Sequence, residues 1–209
     1  DLGWSRGLGD VYKRQDWLNR SDLTSVITSF ISLGEAQYNR TIRHRSMITR
    51  SQATIDAEYS ATPPNWIQTV SFILETNPVT QLDYVTNEEI NRKKSAGAGS
   101  GKPQCYSHVG TEIQVYPVPD SSGYTGELVF YSKIPALSDS NTTNWLLTAS
   151  PDIYLYGSLM QSAPYLRDDE RIQIWASLYQ RAIDDLEVSN QRTAGQTSVH
   201  MRAGALQYV

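Results

Sequence analysis

Apolar residues recur at helical spacing in three segments of the chain, one near its start and two in its last third. The first segment predicts a helix over residues 22–44, and the later two predict helices over 151–164 and 169–191. Pro151 opens the second helix, since proline is favoured in a helix's first turn. Because only these segments carry long apolar stripes, we expect the two C-terminal helices to form a hairpin that packs against the N-terminal helix.

Between residues 47 and 133 apolar and polar residues alternate instead, which is typical of strands. The predicted strands are 47–56, 66–74, 81–85, 105–108, 112–116 and 126–132. A short helix over 87–94 interrupts them, opened by a capping box from Thr86 to Glu89. The predicted fold class is therefore α+β: a helical bundle, made of a long N-terminal helix plus a C-terminal helical hairpin, with an inserted antiparallel β domain.

These patterns divide the chain into parts with different expected roles. The predicted parts are the helical bundle over 16–46 and 135–192, the inserted β domain over 47–134, a flexible C-terminal tail over 193–209, and a separate segment over 1–15. The tail shows no regular period, so we expect no independent fold there.

Residues 1–15 are expected to be foreign to the protein. Residues 10–15 (DVYKRQ) resemble the translation of a transposase mosaic-end sequence used in building sequencing libraries. We interpret the whole segment as a sequencing-adapter artefact of a metagenomic assembly, with the true N-terminus missing. The alternative is an ordinary disordered arm. The segment carries a net charge of +1, so without it the net charge of the chain changes from −4 to −5.

Composition excludes several classes of function. The negative net charge does not favour nucleic-acid binding, and no apolar run approaches the length of a membrane span. One Cys and three His residues make a metal centre improbable, and no cofactor fingerprint is present. The aromatic residues, 13 Tyr and 5 Trp against 3 Phe, suit surfaces buried against a partner, although they suit sheets equally well.

Candidate catalytic motifs do not meet the geometry that their chemistry requires. The segment from Ala96 to Lys102 resembles a relaxed phosphate-binding loop, but it lies in a helix–loop–strand order, the reverse of the order that such loops need. Cys105 and His108 lie three residues apart in a strand, so they are predicted to face opposite sides. The carboxylate pairs Asp168/Asp169 and Asp184/Asp185 are adjacent on helices and do not converge on one substrate. We expect no catalytic residue.

The order of several stretches resembles a family of bacteriophage head–tail adaptor (connector) proteins. The stretches are Asp16–Leu23, Phe30–Ala36, Val115–Pro119, Tyr131–Ser138, Thr143–Leu147, Pro151–Leu159 and Ala163–Glu170. The resemblance covers roughly residues 16–192. No single stretch is specific, so the indication comes from their order and spacing together.

The resemblance implies a structural role in the virion, without enzymatic activity. It implies that copies of the chain assemble as a ring, expected to be a dodecamer, at the head–tail junction. The ring would dock beneath the portal protein, contact a tail or nozzle protein and extend the DNA channel, so that DNA passes without specific binding. No cofactor, metal or membrane is implied.

Two alternatives remain open at this point. The first is a tail-associated peptidoglycan hydrolase, for which Glu35 and Asp56 are the only carboxylates that we could offer. The second is a host-surface or glycan-binding module on the β domain that uses Trp66, Tyr106 or Tyr124.

The C-terminal tail is the predicted portal-docking segment. It combines apolar side chains with cations, and a purely solvated terminus has little need of such apolar residues. The residues expected to dock are Arg192, Val199, Met201, Arg202, Leu206 and Tyr208.

Overall fold

The computed structural model describes residues 24–97, 99–120, 123–162 and 171–196. The chain divides into two compact units, with boundaries between Arg45 and Ser46 and between Lys133 and Ile134. The described secondary structure of the first unit is helical, and the second unit contains all eight described strands.

The described elements follow one another in a helix–strand–helix order. The helices are α1 (Thr24–Thr41), α2 (Asn87–Ala96), α3 (Trp145–Ala149), α4 (Pro151–Gln161) and α5 (Arg171–Gln196). The strands are β1 (Ile48–Ile55), β2 (Tyr59–Ala61), β3 (Trp66–Leu74), β4 (Thr80–Gln81), β5 (Asp83–Tyr84), β6 (Cys105–Val109), β7 (Glu112–Tyr116) and β8 (Tyr124–Ser132).

The core of the first unit lies where α1, α4 and α5 meet. Ile27 and Phe30 of α1 pack with Leu159 of α4 and Trp175 of α5, and all four side chains are buried. Nearby, the Tyr38 ring packs edge-on against Tyr154 and stacks on Tyr179. These residues belong to the apolar stripes of their helices, so helical periodicity places each of them on a buried face.

Side chains define where several helices begin and end. The Arg43 guanidinium donates hydrogen bonds to the carbonyl oxygens of Asn39 and Ile42, at 3.0 and 2.7 Å, just after α1 ends. The Thr86 hydroxyl accepts from the Glu89 amide at 3.3 Å and caps α2, which confirms the predicted N-terminal cap. Pro151 stands in the first turn of α4, as predicted.

The second unit contains two four-stranded sheets. The first sheet has the order β1–β8–β3–β4, and every pairing in it is antiparallel. The second has the order β2–β7–β6–β5, in which only β5 and β6 run parallel. Ile48 pairs with Tyr131, so the entry and exit strands of the unit lie side by side.

The inner faces of the two sheets form one apolar core. Its buried residues are Ile55, Phe72, Leu74, Leu82, Tyr106, Ile113, Val115, Leu128 and Phe130. Along β8, Gly126, Leu128 and Phe130 are buried and alternate with less buried residues, as the two-residue period of a strand requires. A Cβ on Gly126 would stand 2.8 Å from Ile55 and 2.9 Å from Phe72, so glycine permits the close approach here.

Helix α2 attaches to the outer side of the second sheet through a polar cluster. Lys94 pairs with the Glu58 carboxylate, which also accepts a 2.6 Å hydrogen bond from the Gln114 amide. Burial alone would raise the pKa of Glu58, but the hydrogen bonds from Lys94 and Gln114 outweigh it and lower the pKa. The cluster therefore holds a charged carboxylate beside a buried glutamine.

The predicted architecture of a helical bundle with a long N-terminal helix is wrong. The described chain is mixed α and β, with five α-helices and two four-stranded sheets, and the described part of α1 has 18 residues. Apolar spacing predicts the buried face of each helix, but it does not predict how many helices share a core. Helix α3 and strand β2 were also missed, because each is too short to show a period.

Candidate functional site

Helix α5 has a buried apolar stripe and an exposed side of mixed character. Its buried stripe contains Trp175, Tyr179, Ala182 and Leu186, at spacings of three and four. On its exposed side, Ile174 and Val188 are 57% and 42% exposed, and Arg192 is exposed near the end of the helix. Val188 thus lies about one helical turn before Arg192, whereas Ile174 lies near the start of the helix.

Of the six predicted docking residues, the structure describes one. Arg192 lies in the last turns of α5 with an exposed side chain. Val199, Met201, Arg202, Leu206 and Tyr208 lie outside the described residues. The role of this segment therefore stays a prediction.

Glu35 is part of a buried polar network in the first unit. Its carboxylate accepts hydrogen bonds from the Leu137 amide at 2.8 Å and the Tyr154 hydroxyl at 3.2 Å. The Asn144 amide donates to Tyr154 at 2.7 Å and to the Pro135 carbonyl at 2.8 Å. The network fixes the segment between Ile134 and Asn144 against α1 and α4. With 7% of its surface exposed, Glu35 has a structural environment rather than that of a general acid facing substrate.

Asp56, the other carboxylate considered for a peptidoglycan hydrolase, gives no support to a catalytic pair with Glu35. Asp56 is exposed and belongs to the second unit, whereas Glu35 belongs to the first. Asp184 and Asp185 are exposed on α5, and Asp168 and Asp169 lie outside the described residues.

The aromatic residues proposed for glycan binding pack mainly against the core. Trp66 is half-buried, its ring lies 4.5 Å from that of His108, and its indole N–H donates to the Thr69 hydroxyl at 3.1 Å. Tyr106 is only 6% exposed, and Tyr124 donates its hydroxyl hydrogen to Asp120 at 3.1 Å. They form no common exposed surface for stacking against a sugar.

Cys105 and His108 face opposite sides of β6, as predicted. The Cys105 thiol lies 3.8 Å from the Lys93 ammonium, on the side of α2, and burial raises its pKa. His108 Nε2 lies 3.0 Å from the Thr69 hydroxyl, inside the sandwich, and burial lowers the pKa of the imidazole. A raised thiol pKa disfavours the reactive thiolate.

The glycine-rich segment after α2 has the geometry of a connection. It runs from the end of a helix to β6, and Ser100 forms an isolated bridge with Val118. Within the described ranges, no group of His, Cys, Asp and Glu side chains could hold a metal ion. None of the helices in those ranges combines the length and apolarity of a membrane span.

The described residues define a mixed α+β protein of two units. A family model described as SU10 adaptor protein matches residues 13–202. The chain therefore belongs to the SU10 adaptor protein family, consistent with the phage head–tail adaptor that its sequence resembles. No curated protein matches the chain.

Proposed function

We propose that this adaptor forms a ring at the phage head–tail junction, docks beneath the portal and extends the DNA channel to the tail. The observation that carries the proposal is the family match, which spans residues 13–202 and so covers all of the second unit and most of the first. The net charge of −4 supports a conduit rather than a DNA-binding protein, because tight phosphate binding needs concentrated cations.

Exposed apolar residues on the helices support lateral contacts between copies. Leu33 of α1 is 53% exposed, and Ile174 and Val188 of α5 are 57% and 42% exposed. When a neighbouring copy removes such residues from water, the free energy of the assembly falls by about 25 cal/mol per Å² of apolar surface buried. The ring test is electron microscopy of the protein mixed with its own portal. Rings on the portal are expected, and a protein that stays monomeric with portal present would contradict the proposal.

The finer part of the proposal is that the C-terminal segment docks on the portal. Arg192 is exposed at the end of α5, and the sequence beyond it supplies Val199, Met201 and Leu206 as apolar anchors, with Tyr208. Arg192 and Arg202 would pair with carboxylates of the portal, since arginine forms bidentate contacts with such groups.

The tail proposal is tested by deleting residues 193–209 and measuring co-sedimentation with portal rings. We expect the far-UV circular dichroism of the truncated protein to stay close to that of the intact chain, while portal binding is lost. A full-length chain with residues 193–209 in scrambled order is the matched control, because it keeps length and charge. Undiminished portal binding by the truncated protein would transfer the docking role to another surface.

A further inference from the structure

An apolar groove opens in the β sandwich of the second unit, between the edge strands β1 and β2. Its cavity volume is small, about 40 Å³. The buried side chains of Phe72, Val115 and Leu128 line its bottom, and Ala53 and Ala61 line its exposed rim. No lining residue is charged. The groove thus gives access to the apolar core between the two sheets.

Strand β1 offers a row of backbone hydrogen-bonding groups beside this groove. It stands at the edge of its sheet, where its described partner is β8. It is eight residues long and contains neither Pro nor Lys, the residues that commonly block an edge. Its one charged residue is Arg50.

The inner face of β1 lacks the cover that the rest of the sandwich has. Ser51, Ala53 and Ile55 point to the groove, yet Ser51 is only half-buried and Ala53 is exposed. Strand β2, at the facing edge of the second sheet, has three residues against eight in β1. Within the described residues, the sandwich is therefore open along β1, and Ala53 on its inner face is left uncovered.

We propose that an extended segment of another protein of the head–tail junction binds here as an added strand along β1. Main-chain hydrogen bonds to β1 would give affinity, and alternate side chains would enter the groove. Since the lining is uncharged, those inward side chains must be apolar. The inference rests on the proposed function only for the source of the segment, and its chemistry follows from the groove.

The charge of Arg50 predicts which side chain the added strand carries on its outer face. Arg50 is on the outer face of β1, its side chain is 70% exposed, and it pairs with Glu127 of β8 at 2.9 Å. A guanidinium has five donors, so the Glu127 contact leaves donors for a second carboxylate. Opposite charges on neighbouring strands attract. The segment is therefore apolar at inward positions and carries an Asp or Glu beside Arg50.

The first test uses a fluorescent synthetic peptide that alternates valine and threonine, with one central glutamate at a threonine position. The whole chain is expected to bind this peptide in preference to a scrambled peptide of the same composition. Ala53→Trp should weaken binding by at least about tenfold, because the indole would occupy the groove. Thr54→Trp is the matched control on the outer face of the same strand and should bind more tightly than Ala53→Trp.

Charge reversal tests the outer face. Arg50→Glu should weaken binding of the glutamate peptide and strengthen binding of a peptide with lysine in its place. Circular dichroism and the unfolding midpoint of each variant establish that it is folded. Equal binding of the ordered and scrambled peptides, or equal effects of Ala53→Trp and Thr54→Trp, would overturn the groove as a strand-binding site.

The source of the segment is identified by photo-crosslinking in the reconstituted junction. A Thr54→p-benzoylphenylalanine variant, which leaves the groove free, should crosslink to an alternating segment of another protein of the junction, as read by mass spectrometry. Crosslinks to a second copy of this chain, or to its residues 197–209, would overturn the assignment to another protein. Portal co-sedimentation is measured in parallel, so a groove without a partner is distinguished from an adaptor that does not dock.

Discussion

Gly157→Ala tests whether the buried Tyr38 ring controls the packing of the first unit. Gly157 lies in the middle of α4, where a methyl group would overlap the Tyr38 hydroxyl and stand 2.9 Å from two of its ring carbons. The ring has little freedom to move, because Tyr38 is 1% exposed and its hydroxyl donates a 3.0 Å hydrogen bond to the Ile153 carbonyl. Tyr154 and Tyr179 pack against the same ring.

Two opposing effects determine whether Gly157→Ala raises or lowers the free energy of unfolding. Replacing glycine by alanine inside a helix stabilises it by roughly 1 kcal/mol through helix propensity. Overpacking a core costs about 1–3 kcal/mol, and displacing a buried hydroxyl from its acceptor costs about 1–3 kcal/mol more. The net expectation is a loss of about 1–5 kcal/mol in the free energy of unfolding, so packing outweighs propensity.

The assay is urea and thermal unfolding of the whole chain, followed by circular dichroism. Each kcal/mol corresponds to a fall of roughly 2–4 °C in the unfolding midpoint for a domain of this size. The double variant Tyr38→Phe with Gly157→Ala removes the overlapping hydroxyl. We therefore expect Tyr38→Phe to lower the free energy of unfolding less in the Gly157→Ala protein than in the parent. A Gly157→Ala protein as stable as the parent, or more stable, would refute the reasoning, since propensity would then outweigh packing.

Three further outcomes follow from the structure and sequence. Burial lowers the pKa of His44 and of His108, so the unfolded chain binds more protons than the folded chain in this range. Stability should therefore fall as the pH drops below about 6.5. Replacing either His by Phe should make the unfolding midpoint depend less on pH. Deleting residues 1–15 should leave the midpoint unchanged, and loss of soluble protein would show the segment to be native. Residues 46–133 expressed alone should unfold cooperatively, because their entry and exit strands pair and they enclose their own core; a non-cooperative melt would contradict independent folding.

Local sequence rules predicted the elements whose signal is complete within a few residues. The strand Trp66–Leu74 and the strand Glu112–Tyr116 were both predicted at the observed bounds, because alternation is visible in the strand itself. The Thr86 cap and Pro151 were predicted for the same reason, since a cap depends on neighbouring residues. These predictions needed no knowledge of distant partners.

The predictions that failed or were missing depend on residues far apart in the chain. The helical bundle was wrong because an apolar stripe does not specify how many helices share a core. Strand β2 was missed because its three residues acquire a strand conformation by pairing with β7. Glu35 was considered as a catalytic carboxylate, whereas Leu137 and Tyr154 make it part of a buried network.

The groove beside β1 shows most clearly which features depend on the local sequence and which depend on the tertiary structure. The sequence determined by itself that residues 48–55 form a strand, since their alternation is local. Only the tertiary structure decided that this strand lies at a sheet edge, with Ala53 exposed beside Phe72 and Val115. Sheet order joins segments separated by tens of residues, and whether an inward side chain is covered depends on how far the facing strand extends. No pattern within a single strand carries that information.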